Sequence, residues 1–377
     1  MKALVIGNSQ SVFVRDFVKN MANAKFPVYL PRTYEIDVLS WNEGRLIPNE
    51  KVKEITVKVP RWLQKIPKLR GIFKMAKFVW AMSRLGSYDI CHIHFVGIEA
   101  LLLAKLARKR SKRLIASLWG SDFHRTSKRF KRWQERVYDR ADYITFPTNE
   151  MLESFNDYYQ DRYVEKLRVC TFGLAPLEFL KRTELTPKDC RKYFSIPEDA
   201  ITVCVGYNAS LQHRHKEVIR SIAKNKPHLP RNLFLIFPMT YGRDERYVAE
   251  VKEEIRKLGI SNLVLDNFMT PEESAMLRMA TDVFINVQTT DALSGSMLEH
   301  IYAGSVVITG DWLPYKALEE MGIDVYKVSK PDDVGGVLWY MLSNFESWRG
   351  KNHASKENVY EFASWEHNIK SWVRLWR

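Results

Sequence analysis

VFINVQTTDALSGSMLEHIYAGSVVITG, residues Val283–Gly310, places a polar turn and a short helix signal between two apolar runs. Val283–Val287 and Val306–Thr309 are short and rich in Val and Ile, as strands buried on both faces are. A helix starts at Ser294 or Ser296, and Gly304 follows its end. Strand, helix and strand at this spacing make a parallel crossover unit. The turn also carries Asp291, Ser294, Gly295, Ser296 and Glu299. Backbone N–H groups at a helix start can hold phosphate oxygens. A carboxylate at Glu299 can accept two hydroxyl hydrogens, as a ribose diol presents them.

The same alternation extends both ways along the chain. Upstream, strand-like runs fall at Ala3–Ile6, Val28–Leu30, Asp37–Leu39, Ile55–Val57, Ile90–His94, Leu114–Ser117, Tyr143–Phe146 and Leu167–Phe172. Further on they fall at Thr202–Val205, Leu233–Phe237, Leu263–Asp266 and Val325–Val328. Helical patterns lie between most of them, for example Ser11–Ala22, Ile98–Lys109, Lys216–Asn225 and Asp244–Leu258. This predicts an α/β chain of parallel sheets covered by helices. The series pauses at Ala175–Ala200, which is rich in Pro and charge and reads as a linker. Phe362–Arg377 reads as a closing amphipathic helix after a Ser364 N-cap, with Glu366 just inside it. With 377 residues, two domains are expected: 1–180 and 181–360, followed by a terminal helix at 361–377. Doubly wound domains bind ligands at the carboxyl ends of their strands.

The net charge of +14 has to face something. Nucleic acid, an anionic membrane and phosphorylated substrates are the options. Arg61–Arg84 holds seven Lys or Arg and no acid, interleaved with Trp62, Leu63, Ile66, Leu69, Ile72, Phe73, Phe78, Val79 and Trp80. That mixture suits a helix lying on an anionic membrane surface. Cys91, Cys170, Cys190 and Cys204 form no C-x-x-C pair, so a reducing cytosol fits and no zinc site is expected. No apolar run is long enough to span a bilayer. The expected location is therefore cytoplasmic and peripheral, on the inner face of the cell membrane.

Three loops follow strands of the second half. GYNASLQHRHKEVIRSI begins with Gly206 for a tight turn and sets Ser210, Arg214 and Lys216 around a helix start, an anion site. FPMTYGRDERY places Arg243 in the turn before Asp244, which can cap the next helix. The third loop is the one quoted first. In the first half Gly7, Asn8 and Ser9 follow the first strand, and His94, Asp122 and His124 are titratable candidates. His92 and His94 form H-x-H, but two ligands do not make a metal site.

Asp291-x7-Glu299, with a helix and V-V-I after it, resembles the donor site of GT-B glycosyltransferases, whose large retaining family carries Glu-x7-Glu. RKYFSIPEDAITVCVGYN, DICHIHF, SLWGSDFHR and RADYITFPTNEM resemble the linker junction, cleft strand, H-G-S-D-type loop and strand of that fold. GYNASLQHRHKEVI and FPMTYGRDERYVAEV are similar to the aminofucose transferase family of enterobacterial common antigen synthesis, which is inverting and uses lipid-linked acceptors. The resemblance implies two Rossmann-like domains facing across a cleft, with the acceptor bound by the first. It implies a metal-independent transfer, without a cofactor, from a nucleotide-sugar to a lipid-linked or oligosaccharide acceptor. Asn8, Gly206, Arg214, Lys216, Arg243, Ser294, Gly295, Ser296 and Glu299 would bind the donor, and Asp122, His124 and Asp291 would act in catalysis. Two alternatives remain open: a non-enzymatic nucleic-acid-binding protein using the basic surface, although no RNA-binding signature is present, and a GT-B sugar-nucleotide epimerase.

Overall fold

The structure is a computed structural model describing residues 1–24, 35–40, 49–57, 60, 66–348 and 350–377. The expected strand Val28–Leu30 and the start of the basic stretch, Arg61–Lys65, lie outside the described residues. The chain divides into two compact units, Met1–Gly173 with Trp365–Arg377, and Leu174–Ser364.

Among the described residues the first unit contains β1 (Lys2–Ile6), β2 (Glu35–Ser40), β3 (Val52–Thr56), β4 (Tyr88–His94), β5 (Ser111–Ser117), β6 (Tyr143–Phe146) and β7 (Leu167–Val169). They form one sheet in the order β3-β2-β1-β4-β5-β6-β7, and each pairing is parallel. The order reverses direction between β1 and β4. There the chain crosses closely: a Cβ on Gly7 would lie 3.0 Å from Val14 Cγ2 and 3.3 Å from the Cβ of His94.

The helix Trp365–Trp376 completes this unit. Trp365, Trp372, Val373, Leu375 and Trp376 are buried in one core cluster with Ala3, Val5, Phe17 and Ile115. Trp376 Nε1 donates to His92 Nδ1 at 3.1 Å. An indole is a donor only, so the neutral His92 ring keeps its hydrogen on Nε2. That nitrogen donates to Ser117 Oγ at 2.6 Å, and Ser117 shares a hydrogen with Thr145 Oγ1 at 2.6 Å. Burial drives His92 well below the ordinary histidine range, which keeps the ring neutral as this chain requires. His92 and His94 are therefore core residues, and among the described residues no group of three His, Cys, Asp or Glu could hold a metal ion.

The second unit contains β8 (Ile201–Val205), β9 (Leu233–Pro238), β10 (Ser261–Leu265), β11 (Val283–Asn286), β12 (Val306–Gly310) and β13 (Tyr326–Val328). Its order is β10-β9-β8-β11-β12-β13, again wholly parallel. β9, β11 and β12 are buried throughout, which explains their unbroken apolar runs. The start of β11 is pinned by Asp282, whose Oδ2 accepts from Thr202 N, Thr202 Oγ1 and Arg191 Nη2 at 2.7–2.9 Å. Asp142 does the same for β6, accepting from Leu114 N and Arg108 Nη1.

The expected linker is corrected. Ala175–Ala200 forms two helices of the second unit, Ala175–Arg182 and Pro187–Tyr193. The latter starts with a Thr186–Asp189 capping box, and Cys190 is buried against the core. Short, charged helices with Pro at their first turns have linker-like composition, but their apolar positions still face a core. All four cysteines are buried and free. No helix among the described residues is long and apolar enough to cross a membrane.

Candidate functional site

The second sheet reverses strand order between β8 and β11, so the loops after these strands diverge at their carboxyl ends and leave a crevice. Gly206 opens the first loop at φ +66°. A Cβ there would adopt strained backbone and lie 3.0 Å from His215 Nε2. Asn208 Oδ1 accepts from Ser210 N, and Ala209 N donates to Tyr241 O, tying this loop to the one after β9. Arg214 is left-handed at φ +57°, an uncommon conformation for a residue with a side chain. This twist lets His213 and His215 turn inward while Arg214 stays partly exposed. Burial lowers His215 to about 4, so its ring is neutral, and its backbone N–H donates to Tyr247 Oη.

The loop after β11 is stitched to the first. Thr289 N donates to Gln212 O at 3.0 Å, and Thr289 Oγ1 donates to Gln212 Oε1 at 2.6 Å. Asp291 organises this loop internally. Its Oδ2 accepts from Gln288 Nε2 at 2.8 Å and Tyr315 Oη at 2.7 Å, and its Oδ1 accepts from Ala292 N at 3.0 Å. Tyr315 in turn accepts from Asn286 Nδ2 at 2.8 Å. Trp312 Nε1 donates to Gln288 O at 2.9 Å, and the Arg214 guanidinium lies 5.8 Å from the Trp312 ring.

The helix Gly295–Ala303 begins beside this network. Ser294 caps it, its Oγ accepting from Met297 N at 3.2 Å. The amides of Gly295 and Ser296 fall in the first turn, where no intrahelical acceptor exists. Gly295 is also fixed by packing, since a Cβ would come 2.8 Å from Leu174 Cδ2. Ser296 Oγ is buried with no hydrogen-bond partner. One turn on, Glu299 is only 7% exposed and its Oε2 accepts from Arg278 Nε at 3.1 Å. Arg278 is 5% exposed, on the helix Pro271–Met279. A positive helix end, the Arg278–Glu299 pair, Arg214 and the fixed Asp291 carboxylate are thus carried by the loops and helices that follow β8 and flank β11. That arrangement suits an anionic group that also carries hydroxyls.

Gly206, Arg214, Asp291, Ser294, Gly295, Ser296 and Glu299 all lie on the segments that follow β8 and β11, the two strands between which the order reverses. Lys216 and Arg243 do not serve as expected. Lys216 Nζ donates to Glu250 Oε2 at 2.7 Å, which ties two helices together. Arg243 spans its loop: Nη1 donates to Met239 O and Asp266 Oδ1, while Nε and Nη2 donate to Glu245. An arginine held by three partners has little left for a ligand.

Asn8, Asp122 and His124 belong to the first unit. Asn8 Oδ1 accepts from Gln10 N after β1, a turn-forming contact. Asp122 is corrected as a general base. It is 2% exposed, with Oδ1 accepting from Trp119 N and Gly120 N and Oδ2 from Val96 N. Burial raises it to about 6 against these amides, but its oxygens are committed to shaping the loop. His124 is partly exposed, and burial with Lys131 and Arg125 nearby lowers it, favouring a neutral ring.

Sequence reasoning missed Arg278, Gln288 and Tyr315. For Arg278 a signal existed: a charged residue three positions after Ala275, on the buried face of an otherwise ordinary helix.

These two parallel-sheet domains have the GT-B fold. A family model described as glycosyl transferase 4-like matches residues 2–148. Anabaena HepE in complex with UDP and glucose is similar in structure, with a TM-score of 0.73, 14% identity, and coverage of 100% of this chain and 99% of that one. Sucrose-phosphate synthase from Thermosynechococcus elongatus gives 0.74 and 13%, covering 100% and 98%. A glycosyltransferase from Rickettsia africae gives 0.71 and 14%, covering 100% and 97%. No curated protein sequence matches the chain.

Proposed function

We propose that this chain is a glycosyltransferase that binds a nucleotide-sugar at the β8–β11 switch point of its second unit. The observation that carries this reading is Glu299, a buried carboxylate fixed one turn behind two helix-start amides. Glu299 accepts hydroxyl hydrogens of the ribose. The Gly295 and Ser296 amides and Arg214 face the diphosphate. The acceptor hydroxyl oxygen bonds to the anomeric carbon as the anomeric C–O bond to phosphate breaks. The electron pair leaves with the diphosphate, and stabilising that charge is the main catalytic term. No metal is required in this scheme. His124 is the candidate to take the acceptor proton. Asp291 acts by holding the loop that carries the helix start.

UDP, GDP and dTDP should be screened by thermal shift, because a ligand of the folded form raises its apparent stability. The expected result is that one of them stabilises the chain, and that Glu299→Gln weakens that binding at least tenfold by calorimetry. No shift with any of the three, or wild-type affinity in Glu299→Gln, would refute the site.

The acceptor in this reading is lipid-linked, within surface polysaccharide synthesis, and the protein works at the cytoplasmic face of a membrane. The helix Pro67–Arg84 supports it. Phe78 and Met82 are buried on one side, while Leu69, Ile72, Val79 and Trp80 form an exposed stripe on the other. Ile72 is 68% and Trp80 54% exposed. Arg70, Lys77 and Arg84 accompany them, and the helix has no acid. Ile72→Ser with Trp80→Ser should abolish cosedimentation with anionic liposomes while leaving nucleotide binding unchanged. Equal sedimentation of the double variant would remove the membrane claim.

A further inference from the structure

The donor reading leaves its positive charge thinly supplied. Lys216 is held by Glu250 and Arg243 by Asp266 and Glu245. Arg214 is partly drawn to Glu217 at 3.6 Å. Arg278 is different. Its Nε donates to Glu299, and Nη1 is buried without a hydrogen-bond partner. Buried guanidinium hydrogens are costly to leave unpaired, so native proteins seldom do so without a purpose. Packing alone does not call for this residue, because Ala275 and Leu277 fill the same helix with apolar atoms.

The surroundings are those of a ligand site. Ser296, whose Oγ is likewise buried without a partner, sits one helical turn before Glu299. The Tyr241 phenol, hydrogen-bonded to Asn208, lies within electrostatic reach of Arg278, Glu299 and Asp291. The guanidinium therefore lies beside Glu299 in the first turns of the helix Gly295–Ala303 and within electrostatic reach of Tyr241 in the loop after β9. Among the described residues there, it is a permanently charged group that is both buried and incompletely paired.

We propose that Arg278 is a second phosphate-binding cation of the donor site, beside Arg214: Nε holds Glu299, and the remaining guanidinium hydrogens bond oxygens of a nucleoside diphosphate. This rests on the donor reading above. One residue then couples the ribose contact to the phosphate contact, because the carboxylate and the cation hold each other in place. Bidentate geometry suits Arg here and not Lys.

The test uses the full chain, with UDP, GDP and dTDP and their parent nucleosides as probes. Arg278→Lys keeps a positive partner for Glu299, so its melting temperature should stay within a few degrees of wild type. Its affinity for the bound diphosphate should fall about tenfold to a hundredfold, the loss of a charge-assisted hydrogen bond. Its affinity for the nucleoside should change less than twofold. Glu299→Gln, which keeps an oxygen for Nε, should weaken nucleoside and diphosphate alike. Equal losses for nucleoside and diphosphate in Arg278→Lys would overturn the proposal and leave Arg278 a positioning residue for Glu299. Unchanged diphosphate affinity would overturn it too, assigning the guanidinium hydrogens to water. Failure of wild type to bind any probe would instead refute the donor reading itself.

Discussion

Arg278→Met should destabilise the second unit by about 3–5 kcal/mol, because it removes one partner of a buried ion pair. The two side chains are 6% and 9% exposed, with Nε and Oε2 3.1 Å apart. Methionine fills much of the volume, so the loss is not mainly a cavity. It is the cost of a buried carboxylate left at Glu299 with its cation gone. Glu299→Met should be comparably costly for the converse reason. The double variant should recover most of the loss, since a buried pair replaced by apolar residues of similar volume is often close to neutral. Denaturant midpoints of the four proteins give the coupling energy directly. A single-variant loss below about 1 kcal/mol would mean that the pair is solvated rather than buried. Glu299→Ala strands the Arg278 cation in the same way, so a binding defect there would be confounded with instability, whereas Glu299→Gln keeps an oxygen for Arg278 Nε.

The pair also marks the limit of what the sequence discloses. Apolar runs located the strands because parallel strands bury both faces, and nearly every segment from β8 to β13 was legible for that reason. Gly206, the Ser294 cap and Glu299 were legible because a tight turn, a helix start and a spaced acid leave local marks. Lys216 and Arg243 were misread because what disqualifies them is distant. Glu250 and Asp266 lie on other elements and meet them only after folding. Asp122 was misread for a related reason: backbone amides carry no sequence signature, yet those of Val96, Trp119 and Gly120 are among the donors that occupy its carboxylate. Charge in a loop is visible in a sequence, but whether that charge is already paired is not.

Trp376→Ala should cost the first unit about 3–5 kcal/mol, the range for truncating a large buried aromatic. Trp376 is fully buried, its ring centroid 5.6 Å from Phe17 and 6.0 Å from His92. The loss has two parts that can be separated. Removing the ring opens a cavity beneath the terminal helix, in the cluster shared with Trp372 and Val373. Removing the indole N–H leaves His92 Nδ1 without a donor and breaks the relay through Ser117 to Thr145. Trp376→Phe retains most of the ring and removes only the donor, so it should cost about 1–3 kcal/mol, the penalty for one unsatisfied buried acceptor. In that variant an imidazole freed from its tautomer lock binds a proton more readily in the folded state, so the stability lost as the pH falls below the ordinary histidine range should be smaller than in wild type, whose folded His92 resists the proton that the unfolded chain accepts. Acid unfolding curves for wild type and Trp376→Phe check this, with a gap that narrows at low pH as the expected result. Parallel curves would mean that the hydrogen bond does not set the charge state of His92, and that the terminal helix is held by packing alone.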